Sequence, residues 1–60
     1  MDKKKIKKIR LSMGLDQKEF GAVLGVSQNT VCNWETGAVE PSAKSIKKIL
    51  EFCKENKIRV

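Results

Sequence analysis

The chain has no histidine, no tyrosine, a single proline and only two cysteines in 60 residues. Without histidine it lacks the most common metal ligand and the side chain best placed to move protons near neutral pH. Cys32 and Cys53 show no Cys-x-x-Cys spacing, so no zinc site is expected. They read as free thiols, Cys53 packed in an apolar stripe and Cys32 exposed on a polar face. No apolar run approaches the roughly 20 residues of a membrane span. The lysine-rich start is not followed by the apolar stretch of a signal peptide. No nucleophile is paired with a base, and the chain is short for building a pocket. These absences argue against an enzyme, and no catalytic residue, cofactor, metal, membrane partner or small-molecule substrate is expected.

Acidic residues are also scarce. Seven carboxylates face 13 basic side chains, a net charge of +6 that favours a polyanionic partner. The basic residues are unevenly placed. Lys3, Lys4, Lys5, Lys7, Lys8 and Arg10 open the chain, and Lys44, Lys47, Lys48, Lys54, Lys57 and Arg59 close it. Between Leu11 and Ala43 only Lys18 is basic, against Asp16, Glu19, Glu35 and Glu40. Most of these lysines read as a solvated surface supplying a long-range field.

Apolar residues make up 40% and charged residues 33%, which suits one small globular domain over residues 1–60. Folding such a chain buries roughly 60% of its surface, so the core is modest. Four helices are expected, at about 2–13, 17–24, 28–35 and 43–55, with a tail at 56–60 that leaves room for at most a partial fifth. In the first, Ile6, Ile9 and Met13 form the apolar stripe, and Arg10 falls within it. In the second, Asp16 and Glu19 form a capping box. Phe20, Val23 and Leu24 are its apolar stripe, with Gly21 beside them. Gly25 ends that helix, and Val26 plugs the core below the turn. Ser27 caps the third helix. Gly37 closes it, and Ser42 caps the fourth, whose stripe is Ile46, Ile49, Leu50 and Cys53.

The third helix has two unlike faces. Gln28, Asn29, Cys32 and Asn33 share the outward side, with Val31, Trp34 and Glu35 roughly opposite. Carboxamides pair bidentately with adenine in the major groove, and each good pair discriminates by about 1–3 kcal/mol. A solvated polar face is the plainer reading of such residues taken alone. A second polar feature is Arg10. A guanidinium facing the core needs a partner, because an unpaired buried charge is costly.

Residues 17–37, QKEFGAVLGVSQNTVCNWETG, resemble the helix-turn-helix of the lambda repressor/Cro (Xre-type) family of bacterial and phage regulators. The resemblance covers about Ile6 to Leu50 and is strongest from Gly14 to Gly37. It implies an all-α, lambda repressor-like domain that binds double-stranded DNA and acts as a repressor in the cytoplasm. It implies that Gln17 contacts a phosphate and that Gln28, Asn29 and Asn33 read base edges. Ser27 and Thr30 would meet flanking bases or phosphates, and Lys44 would anchor a second phosphate. It pairs Arg10 with Glu35 as a structural ion pair. It further implies a homodimer on a palindromic operator. Leu11, Phe52, Ile58 and Val60 are surplus apolar groups for a dimer contact, with residues 58–60 either pairing as a strand across a two-fold axis or folding back. The alternative is a protein-interaction module, coactivator or antitoxin-like, that retains the fold. The start at Met1 fits a complete small protein or the N-terminal domain of a larger one.

Overall fold

In a computed structural model, residues 1–58 are described; Arg59 and Val60, and the strand pairing considered for them, lie outside the described residues. The fold is all-α. Four helices follow one another: α1 (Lys3–Ser12), α2 (Gln17–Leu24), α3 (Gln28–Thr36) and α4 (Ala43–Glu55). Each starts on a side-chain cap. Asp2 accepts from the Lys4 N–H, Asp16 from Glu19, Ser27 from Thr30 and Ser42 from Ser45. At α2 the box is reciprocal, because the Glu19 carboxylate accepts the Asp16 N–H at 3.0 Å while Asp16 accepts the Glu19 N–H at 2.7 Å. Helices this short are marginal on their own, so caps and packing decide whether they form.

α2 and α3 pack on each other, α1 packs on α3, and α4 packs on α2. The core they enclose is Ile6, Ile9, Phe20, Leu24, Val31, Trp34, Ile49 and Cys53. Phe20 and Phe52 meet edge to face at 5.9 Å between ring centroids, joining α2 to α4. Val26 is half-buried against this core below the α2–α3 turn.

That turn depends on two glycines with different duties. Gly25 adopts φ 74°, a left-handed conformation that glycine takes without a Cβ penalty, and Val26 donates back to the Gly21 carbonyl at 2.8 Å. Gly21 matters for space. A Cβ there would lie 2.7 Å from the Val26 carbonyl oxygen and 3.2 Å from the Ser27 carbonyl carbon. The chain entering α3 thus runs directly over α2.

This close approach explains one departure from the sequence reading. Val23 is 55% exposed, although the pattern placed it with Phe20 and Leu24. Seating Gly21 under the turn rotates the buried arc of α2 towards Gly21 and turns Val23 outward. α4 is rotated in the same way. Phe52, set aside in the sequence as a surplus group for a dimer contact, packs on Phe20 instead, and Leu50 is turned to 42% exposure. The chain after α4 folds back onto its own core. Lys57 takes φ 56°, and the Ile58 N–H reaches the Cys53 carbonyl at 2.8 Å. Ile58 is half-buried against the core.

The Gly21 contact is with backbone, which yields only if α3 moves. Gly21→Ala should therefore destabilise the fold by a net of about 1 kcal/mol, overpacking outweighing alanine's better helix propensity. Urea unfolding checks this, and a midpoint equal to or above wild type would show that the turn has slack.

Candidate nucleic-acid interface

α3 is held on one side and free on the other. Val31 and Trp34 are 0% and 3% exposed and anchor the helix in the core. Gln28, Asn29 and Asn33 are all exposed, and none of their side chains is hydrogen-bonded within the protein among the described residues. Their carboxamides keep both donors and acceptor for an outside partner. Cys32, expected to be fully exposed on this face, is half-buried. α3 also runs one residue further than the sequence reading, through Thr36. Thr36 falls in register with Asn29 and Asn33, at i+7 and i+3, a spacing legible in the sequence. Its hydroxyl is occupied, donating to the Asn33 carbonyl at 3.3 Å and accepting from the Ala38 N–H at 3.4 Å.

The flank of α3 nearest α1 is held by a charged clamp. Arg10 donates through Nε to Glu35 Oε2 at 2.7 Å and through an η nitrogen to Glu35 Oε1 at 3.0 Å. Its other η nitrogen donates to the Leu15 carbonyl at 3.0 Å. The two side chains keep only 10% and 5% of their surface. One guanidinium therefore ties together α1, the α1–α2 turn and the end of α3. Burial works to raise the pKa of Glu35, but hydrogen bonds from Arg10 and Gln17 and the charges of Arg10 and Lys7 outweigh it and hold the carboxyl below its ordinary value. The hydrogen bond to Glu35 raises the pKa of Arg10 further.

The remaining site residues are placed as follows. Gln17, half-buried at the first position of α2, donates its side-chain amide to Glu35 Oε1 at 3.3 Å. It braces the clamp and leaves its second amide hydrogen free. Ser27 and Thr30 are engaged with each other, their hydroxyls 2.8 Å apart, so their first duty is the start of α3. Lys44 is exposed in the first turn of α4, on a different element from the carboxamides. The structure thus brings Gln17, Arg10 and Glu35 together, and presents Gln28, Asn29 and Asn33 on one surface. No helix among the described residues is long and apolar enough to cross a membrane.

This is the geometry of two helices joined by a tight turn, the second presenting a polar face while the first backs it. The family model described as helix-turn-helix matches residues 6–57. The chain belongs to this family, the Xre or lambda repressor-type helix-turn-helix, which is one of DNA-binding regulators. No curated protein and no solved structure matches the chain.

The lowered Glu35 pKa has a consequence for stability. A carboxyl whose folded value lies below its unfolded value, about 4.3, stabilises the fold above that value and loses the contribution as pH falls through the folded one. Wild-type stability should therefore decline as the solution is acidified below about pH 4.3. Glu35→Gln should be less stable at pH 7 and show a shallower acid decline. Urea midpoints measured from neutral to acid pH test this, and parallel profiles for the two proteins would remove Glu35 from the account.

Proposed function

We propose that the chain is a sequence-specific double-stranded DNA-binding transcriptional regulator, acting as a repressor, that inserts α3 into the major groove. The observation that carries this reading is the orientation of α3: three unengaged carboxamides outward, with Val31 and Trp34 locked inward. Gln28, Asn29 and Asn33 read base edges, each with the donor and acceptor pair that suits adenine. Phosphate contacts set the register without carrying sequence information. They come from the free amide hydrogen of Gln17, the unbonded backbone amides at the start of α2, and Lys44. The α2 and α4 N-termini add their dipoles. Ser27 and Thr30 order the start of α3 and lie beside flanking bases or phosphates.

Two copies would bind a palindromic operator, with half-sites about 34–36 Å apart. Occupying a promoter in the cytoplasm of a bacterium, or in a phage-infected one, such a dimer blocks polymerase.

Site selection from random duplex DNA, followed by titration at several salt concentrations, tests the reading. A preferred two-fold-symmetric site and a negative log–log salt slope are expected. Asn33→Ala and Gln28→Ala should each lose about 1–3 kcal/mol of discrimination at one base-pair position per half-site. Their folds should be intact, since both side chains are exposed. Sequence-blind binding that neither substitution changes would instead favour a protein-interaction module on the same scaffold.

A further inference from the structure

The helix-turn-helix segment is poor in positive charge, with Lys18 its only basic residue against Glu19 and Glu35, and Asp16 just before it. A reader of a polyanion needs cations close to the groove it enters. The fold supplies them from α1. At 3.6 residues per turn, the basic residues of that helix separate onto different sides. Lys3, Lys7 and Arg10 are spaced i, i+4 and i+7, and so share one narrow arc. Arg10 is bonded to Glu35 of α3. The Lys7 charge acts on that same carboxylate. The Lys3 Nζ lies 3.5 Å, and its Cδ 3.2 Å, from where a Cβ on Gly37 would stand, at the C-terminal end of α3. Lys5 lies about 200° round the helix from Lys3, and its charge reaches Cys53 of α4. Lys4 and Lys8 share the remaining side of the helix with Leu11, which is 57% exposed.

The stripe therefore begins beside Gln17, at the Arg10–Glu35 clamp, and runs along α1 to Lys3, meeting α3 at its C-terminal end, Glu35 to Gly37. Arg10 turns three of its N–H groups inward and keeps little exposed surface. Lys3 and Lys7 are exposed and long enough to reach past that end of α3. We infer that Lys3 and Lys7 are phosphate-binding residues that continue the line of backbone contacts from the start of α2 along one strand of the duplex. The inference rests on the reading of α3 as the groove-entering helix, and it gives the lysine-rich start a defined direction.

The test compares two double substitutions that remove the same charge from the same helix. Lys3→Ala/Lys7→Ala and Lys4→Ala/Lys8→Ala are titrated against a ~20-base-pair duplex of arbitrary sequence, two helical turns long, across a salt series. Losing two phosphate contacts should make the log–log salt slope about 1.8 shallower for the first variant and weaken binding about 20- to 30-fold at 0.15 M salt. The second variant should stay near wild type. Lys3→Arg/Lys7→Arg should restore the slope, and thermal melts of all variants should stay close to wild type, since the Lys7 charge is the smallest of the supports of Glu35. Equal losses from the two alanine pairs would reduce the lysines to a diffuse field and overturn the inference, as would no loss from either. A wild-type chain that shows no salt-dependent binding to any duplex would overturn the functional reading along with it.

Discussion

The fold turns on one bidentate contact, Arg10 to Glu35. Both groups are nearly sealed from solvent, and each hydrogen bond is short. Taking two charges out of water is costly, and their attraction offsets that cost only when geometry is good and remaining donors are satisfied. The geometry is good here, and each partner has a further hydrogen bond. The Leu15 carbonyl takes the third Arg10 donor and the Gln17 amide supports the carboxylate. What the contact contributes is direction as well as strength. A planar guanidinium meets a carboxylate in few orientations, so α3 is fixed in rotation about its own axis as well as in position. An apolar pair of equal volume would bury similar surface and leave that rotation looser.

Rotation is what recognition requires. A turn of one residue, about 100°, would carry Asn29 and Asn33 off the outward face. Three constraints act against it. Val31 and Trp34 are buried, Ser27 caps the start, and Glu35 is clamped near the end. The turn before α3 adds a fourth, because Gly21 lets the chain lie directly on α2. Local chemistry and tertiary packing agree at each of these points, which makes a short, marginal helix dependable.

Much of this was legible in the sequence because it is encoded locally. Asp16, Ser27 and Ser42 announce helix starts by residue type, and Gly25 and Gly37 announce ends. Arg10 within an apolar stripe demanded a partner, and the family resemblance supplied Glu35. Val23, Leu50 and Cys32 depart from the reading drawn from periodicity alone. A period fixes which residues share a face, but not how that face is turned when a neighbour presses from one side. On α2 the missing information was the depth of the Gly21 contact, and on α4 it was the pairing of Phe52 with Phe20. The charge pattern was blurred for a related reason. Six basic residues in ten read as one block until α1 is wound and set against α3, when they divide among separate sides. Gln17 also makes a bond that its position alone does not announce, from its amide to Glu35.

A double-mutant cycle on Arg10 and Glu35 tests the central claim most directly. Arg10→Ala, Glu35→Ala and the double variant would be unfolded in urea in a sulfate buffer that stabilises compact states. If the pair is the constraint that fixes α3, each single change removes one partner and strands the other. The double variant should then be far less destabilised than the sum, with a coupling of about 2 kcal/mol or more. Additive effects, with coupling near zero, would mean that the two side chains act independently and that α3 is oriented by its apolar face alone.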